Sequence, residues 1–395
     1  MPEAKENSTM SATIILPRIL QVGRNACESV ATIMNQLGCS NALIVTDPMM
    51  VNLGYVTRVQ AVVEESDLNC SVFADTVPEP TVSSIEAGVR AAKADNFDCL
   101  IALGGGSPID SAKAIAILAC HGGAMRDYKF PRNVSETGLP VIAIPTTAGT
   151  GSEMTRFTII TDDEVDEKML CVGMGFLPVA ALVDYTLSMS VPPRITADTG
   201  IDALTHAIEA YVSKKANAYS DSQALAAMRL LAPNLRTVFH DGSNETAREQ
   251  MMMGATLAGV AFSAASVALV HGMSRPIGAH FHVPHGLSNA MLLPSVTEFS
   301  IASAAERYAD CAKAMGLAAP DENVLIANKK LLQELNDLNH ELQVPSPAEF
   351  GIKKADYFDK LELMAEQALA SGSPGNNPRV PSTKEMVSIY ESIWN

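Results

Sequence analysis

A chain of 395 residues exceeds one ordinary hydrophobic core, so two domains are expected. Hydrophobic residues make up 47% and charged residues 18%, which excludes a disordered chain, and the few aromatics point to an Ala-, Val-, Ile- and Leu-rich α/β interior. A net charge of −16 with no basic block excludes a general binder of nucleic acid or of anionic membranes.

Residues 1–10 are polar and read as a disordered tail with no signal-peptide core. No apolar run reaches membrane-spanning length. The seven cysteines are scattered, odd in number and without a C-x-x-C pair, as expected of reduced thiols in the cytoplasm.

A β-rich run over Ala12–Leu20, broken by Pro17, leads into a turn and helix from Gly23 to Leu37. Asn41–Asp47 is a short apolar run with a polar end, the pattern of a buried parallel strand. Helix-like and strand-like segments then alternate through Val51–Glu65, Asn69–Val77, Val82–Asp95, Cys99–Leu103, Ile109–His121 and Pro140–Pro145. That alternation predicts βαβ units in a doubly wound, mostly parallel sheet that binds ligands beyond the carboxyl ends of its strands.

Two strand ends carry unusual loops. Gly104-Gly105-Gly106-Ser107-Pro108 lets backbone approach a ligand closely, with Ser107 expected as helix N-cap, Pro108 as first helical residue and Asp110 one turn in. The free N–H groups of such a helix start suit a diphosphate. The second loop runs from Pro145 to Phe157, and its glycines and the hydroxyls of Thr146, Thr147, Thr150 and Thr155 suit phosphate or ribose oxygens. Two such loops at successive strand ends predict a dinucleotide site. Asp47 either accepts from a ribose 2′-OH, which favours NAD over NADP, or is simply the turn residue before Pro48.

From Pro192-Pro193 onward helical patterns dominate, so the predicted division is residues 1–192 as the α/β dinucleotide-binding domain and 193–395 as an all-helical domain. Helices are expected over Ala197–Ser213, Ser220–Phe239, Glu245–Ala264, Ser288–Phe299, Ser303–Met315, Glu322–Asn339, Lys354–Ala370 and Thr383–Trp394. Asp202 and His206, four apart among Ile201, Leu204, Ile208 and Tyr211, project from one helix face. Six of the eight histidines (His206, His240, His271, His280, His282 and His285) fall between residues 206 and 285, several in an apolar segment where an unpaired imidazole is costly to bury. A carboxylate with imidazoles from elsewhere predicts a divalent metal site rather than a solvated helix face.

These motifs resemble the iron-activated, group III alcohol dehydrogenases, and among them the propanediol and lactaldehyde oxidoreductase-like branch. The resemblance covers nearly the whole chain. It rests on Gly104-Gly-Gly-Ser107-x-x-Asp110-x-x-Lys113, Pro145-Thr-Thr-x-Gly-Thr-x-Ser-Glu153, Gly200-x-Asp202-Ala-Leu-Thr-His206-Ala-x-Glu209 and His271-Gly-x(12)-His285-Gly. It implies an active site in the cleft between the two domains, with Asp202, His206, His271 and His285 as metal ligands. It implies cofactor contacts at Asp47, Gly106, Ser107, Thr146, Thr147, Thr155, Phe157, Lys168 and Leu187.

The expected protein is an NAD-dependent dehydrogenase and homo-oligomer acting on a small primary alcohol or aldehyde, with Fe(II) preferred and Zn(II) the alternative metal. Where many relatives carry a histidine near the nicotinamide, this chain has Arg275, and where relatives often have Asn on the adenine side it has Glu79. Arginine does not titrate near neutral pH, so Arg275 is either a structural partner of a carboxylate such as Glu209 or a clamp on a polar or anionic substrate tail. His280 is the alternative proton carrier. Rival readings are a dehydroquinate-synthase-like or glycerol-dehydrogenase-like relative, or a non-catalytic protein of the same fold.

Overall fold

The computed structural model describes residues 11–165 and 167–395; the expected tail over residues 1–10 lies outside the described residues. β2 (Asn41–Val45), β4 (Cys99–Gly104) and β5 (Val141–Pro145) are continuous apolar runs buried almost throughout, as strands between two helical layers must be. With β1 (Ile19–Val22), β3 (Asn69–Phe73) and β8 (Ala180–Val183) they form an all-parallel sheet of order β1-β8-β5-β4-β2-β3. Successive side chains face opposite layers. Leu43, Val45, Leu100 and Ala102 pack with α4 (Val82–Ala92) and α5 (Gly106–His121). Ala42, Ile44, Ile101 and Leu103 pack with α1 (Val30–Leu37) and α3 (Tyr55–Glu64), which follows the short α2 (Pro48–Asn52).

Two features were not anticipated from the sequence. β8 is only four residues long, yet it sits inside the sheet between β1 and β5. An antiparallel ribbon of β6 (Phe157–Asp162) and β7 (Glu167–Val172) stands apart from the sheet and projects beside its carboxyl edge. β6 is rich in aromatic and β-branched residues and alternates between buried and half-buried positions, as a strand with one face on the core does. The start of α5 also differs from expectation: Gly105 is the N-cap and Gly106 the first helical residue, so Ser107 and Pro108 lie inside the first turn. Proline is tolerated there because that turn's N–H groups lack intrahelical acceptors anyway.

The second half is helical: α6 (Pro193–Val212), α7 (Ala218–His240), α8 (Glu245–Ala265), α9 (Leu269–Phe281), α10 (His285–Ile301), α11 (Ala305–Ala314), α12 (Val324–Glu341), α13 (Lys354–Asp359), α14 (Leu361–Ala370) and α15 (Thr383–Ser392). α6 starts on Pro193, whose missing N–H costs nothing at that position, and packs against α7, α8 and α10. It is buried all round from Ala197 onward except at Thr199, so it is the axis of this half rather than a surface helix. α9 was read from sequence as a Gly- and Pro-punctuated segment; it is a helix with Pro276 inside it. Among the described residues no single helix is long and apolar enough to cross a membrane.

Candidate metal centre and cofactor cleft

Asp202 and His206 stand one turn apart on α6, α9 carries His271, and His285 is the first residue of α10, fixed in direction by Pro284. Asp202 Oδ1 lies 3.4 Å from His271 Nε2 and 3.8 Å from the Nε2 atoms of both His206 and His285. Donors held at ~2.1 Å around one tetrahedral ion stand roughly 3.4 Å from one another. The donor atoms of Asp202, His271 and His285 lie within 4.8 Å of one another, near that spacing, and His206 joins them through its approach to Asp202. His206 stacks between Phe262 and His271, at centroid distances of 4.1 and 4.4 Å, which fixes its ring plane.

The cluster's electrostatics follow from its burial. Burial drives His206 down to about 4 and His285 down to about 3, so both present neutral nitrogens. Asp202 is penalised by burial too, but the surrounding imidazoles hold its carboxyl far below the usual range. His271, also opposed by burial, is lifted to about 9 because it lies between Asp202 and Glu209.

Two further side chains organise the donors. Glu209, one turn beyond His206 on the buried axis helix, accepts from His271 Nδ1 at 2.6 Å and from the backbone N–H groups of Ala268 and Val270. It thereby turns Nε2 toward Asp202 and, when that nitrogen serves as a metal ligand, keeps the ring's remaining proton on Nδ1. Asn289, four residues after His285 on α10, brings its Nδ2 to 2.7 Å from Asp202 Oδ1 and to 3.2 and 3.3 Å from His271 and His285 Nε2. The i,i+4 spacing from His285 is the sequence signal for Asn289, legible once α10 is known to begin at that histidine.

Across a cavity of about 210 Å³ the donors face the first turn of α5, with Gly106, Ser107, Asp110, Thr150, Thr155, Phe157 and Lys168 also in the lining. The volume suits the reacting ends of two molecules rather than a whole dinucleotide. The two loops interlock: a Cβ on Gly106 would meet Thr150 Cγ2 at 2.8 Å, so glycine is required by close approach. Lys113, fully buried, donates to Ser152 Oγ at 2.7 Å, Thr155 Oγ1 at 3.1 Å and the Phe157 carbonyl at 2.8 Å. Desolvation lowers its ammonium to about 8. Asp110 takes Ser152 Oγ on one oxygen and the Ile159 amide on the other. Both side chains therefore pin the second loop to α5 and shape the pocket from behind.

Several expected site residues are placed differently. His280 is nine residues from His271, which puts it about 180° around the helix; it points away from the cavity and pairs with Gln367 of α14 at 2.8 Å. Leu187 is wholly buried in the core on the α1 and α3 side of the sheet and offers no surface to a ligand. Thr146 is buried behind the turn, its amide donating to the Gly104 carbonyl, and Thr147 packs beside Gly105. Asp47 is the N-cap of α2, with Oδ1 accepting from Met49 and Met50 amides. Ser107 Oγ accepts from the Glu79 amide instead of capping its own helix, and Glu79 pairs with Lys168 at 2.9 Å.

Arg275 does line the cavity, on the same face of α9 as His271. The expected pairing with Glu209 is not made: among the described residues no carboxylate lies within 4 Å of Arg275, and Glu209 is turned toward His271. Phe262 and Ser373, which sequence reading did not single out, complete this end of the pocket.

A doubly wound parallel sheet with a glycine turn at its ligand edge, facing a three-histidine, one-carboxylate cluster, defines a two-lobed nucleotide-cofactor architecture with a metal centre. Comparison with known proteins makes this specific. The family model for iron-containing alcohol dehydrogenase matches residues 17–185, and the model for the C-terminal part of the Fe-containing alcohol dehydrogenase family matches residues 196–394. The chain is 38% identical over 375 residues to alcohol dehydrogenase 4 of Saccharomyces cerevisiae, covering 94% of this chain and 95% of that one. It is 35% identical over 378 residues to the NAD-dependent methanol dehydrogenase of Bacillus methanolicus, covering 95% and 98%. A crystal structure of 1,3-propanediol oxidoreductase superposes with a TM-score of 0.93 at 33% identity, covering 97% of this chain and all of that one. The chain belongs to the iron-containing alcohol dehydrogenase family.

Proposed function

We propose that this chain interconverts a small primary alcohol or diol and its aldehyde, using NAD and one divalent ion held by Asp202, His206, His271 and His285. The observation that carries the reading is the convergence of these four donors, from three helices, opposite the glycine turn of α5 across one cavity. When bound, the ion polarises the substrate oxygen and NAD exchanges hydride with the substrate carbon. Fe(II) is favoured by family membership, with Zn(II) chemically compatible with the same donors.

The chain's own residues supply position and charge. The first turn of α5 offers backbone N–H groups for the cofactor diphosphate, while Lys113 and Asp110 keep the second loop in register with it. Glu209 keeps the His271 proton on Nδ1. Asp47 sits at the end of β2, beside the strand that bears the glycine turn, and we assign its second carboxylate oxygen to a ribose hydroxyl. The chain divides functionally at residues 192/193, where α6 begins. The exposed edge strand β1, bearing Leu20 and Val22, supports homo-oligomerisation, and seven unpaired cysteines support a cytoplasmic setting.

The test is a rise in absorbance at 340 nm with NAD, added Fe(II) or Zn(II), and ethanol, 1,2-propanediol or 1,3-propanediol as substrate. Full activity after complete metal removal would overturn the metal assignment. Absence of NAD reduction with every alcohol would overturn the dehydrogenase reading.

A further inference from the structure

Arg275 is the one cavity-lining arginine, and its environment is unusual within this chain. Its Nη1 donates to Ser373 Oγ at 3.1 Å, its Nε is buried without a partner, and among the described residues no carboxylate lies within 4 Å. Arg248 provides the internal contrast. It is buried, and among the described residues it likewise has no carboxylate partner, yet its guanidinium meets three oxygen acceptors, on Gly242, Thr196 and Val191. Arg58, Arg126, Arg194, Arg236 and Arg307 all have carboxylate partners. Burying a guanidinium nitrogen without an acceptor is costly, and packing alone does not require it.

The position of Arg275 gives the unmet donors a direction. A second cavity, of about 520 Å³, lies between the β6–β7 ribbon and helices α9 and α14, with exposed Phe130 and Val165 in its wall. Arg275, Lys168 and Leu170 line both cavities, so they form the neck between the metal pocket and this outer chamber. The other cations there are already matched, Lys168 by Glu79 and Lys129 by Glu167. Among the described residues Arg275 is therefore the neck's positive charge without a carboxylate partner, one helical turn from the donor His271.

We propose that Arg275 is a specificity-determining residue that binds an anionic group on the substrate, so that the alcohol or aldehyde carries carboxylate, sulfonate or phosphate oxygens at the end remote from the reacting carbon. This rests on the dehydrogenase reading above. The remote end lies at the neck while the reacting end faces the donor cluster. Ser373 holds one arm of the guanidinium and leaves the others for a planar or tetrahedral oxyanion.

The experiment compares kcat/KM of the metal- and NAD-loaded enzyme on matched pairs. These are 4-hydroxybutyrate against 1,4-butanediol, 2-hydroxyethanesulfonate against 1-propanol, and 3-hydroxypropyl phosphate against 1-pentanol. At least one anionic substrate is expected to exceed its neutral partner by roughly tenfold or more, mainly through KM, and the best pair identifies the oxyanion. Arg275→Gln should lower that ratio by roughly ten- to a hundredfold, the worth of a charge-assisted hydrogen bond, and Arg275→Lys should restore part of it. Should Arg275→Gln fail to fold, inhibition of the unaltered enzyme still decides. Butyrate, ethanesulfonate or propyl phosphate should compete with substrate where butyramide does not. Neutral substrates matching all three anions, or Arg275→Gln lowering both members of a pair equally, would overturn the proposal while leaving the dehydrogenase intact. Failure of every substrate, charged or neutral, would instead overturn the dehydrogenase reading.

Discussion

The two halves of the cleft meet their ligands by different means. On the sheet side, the charged side chains near the pocket are matched within the protein: Lys113 by Ser152, Thr155 and the Phe157 carbonyl, Asp110 by Ser152 and Ile159, and Lys168 by Glu79. What remains for the cofactor is backbone and a few hydroxyls. On the helical side the reverse holds, since four titratable donors converge and, among the described residues, Arg275 is left without a carboxylate. Backbone recognition needs shape, so its residues are small and their side-chain chemistry matters less than their size. Side-chain recognition needs particular atoms at particular distances, and those residues are not.

The largest expected effect lies on the helical side. His271→Ala should remove most of the bound metal, measured by elemental analysis, and lower turnover by about three orders of magnitude or more, since polarisation of the substrate oxygen is worth several kcal/mol. A variant that keeps both metal and turnover would show that the donor cluster is ordinary packing.

Lys113 tests whether the sheet side is scaffold. Its ammonium falls to about 8 in the folded protein, below the ordinary 10.5 that the unfolded chain retains. Between these values the unfolded state binds more protons, so this residue's contribution to stability rises with pH across that window and is lost as pH falls through about 8. Subtracting the denaturation profile of Lys113→Met from that of the unaltered protein should isolate the rise, on the order of 3 kcal/mol from pH 8 to 10.5. The subtraction is needed because buried thiols such as Cys27, raised to about 12, work in the opposite direction over the same window. A flat difference would mean that Lys113 is not desolvated.

Gly106 tests shape. Gly106→Ala places a Cβ at 2.8 Å from Thr150 Cγ2 and should raise KM for NAD about tenfold, roughly 1.4 kcal/mol, with metal content unaltered. Adding Thr150→Ser, which removes that methyl, should recover part of the loss. No recovery would indicate that the glycine serves the ligand directly rather than the neighbouring loop.

The smallest effect is expected at Asp47. Asp47→Gly should shift the ratio of NADP to NAD use upward several-fold, because a carboxylate repels a 2′-phosphate. It should cost only a few tenths of a kcal/mol in stability, since glycine is a tolerable N-cap. An unchanged ratio would reduce Asp47 to the cap of α2.

Much of this molecule is legible before folding. The apolar runs of β2, β4 and β5, the glycine turn after β4 and the Asp202–His206 spacing are local patterns, and local geometry turns each directly into a buried strand, a helix start and a shared helix face. Three things were not legible. The pairing of β6 with β7 and the place of the four-residue β8 inside the sheet are set by long-range contacts, which the local patterns of these runs do not encode. The segment from Leu269 to Phe281 looked irregular, and only its helical state separates His271 and Arg275 on one face from His280 on the other. Finally, sequence could name Glu209 as a partner for Arg275 but could not choose between candidates. Tertiary packing brings His271 Nδ1 to 2.6 Å from that carboxylate and leaves the arginine unmatched, because partner choice depends on distances that no sequence spacing encodes.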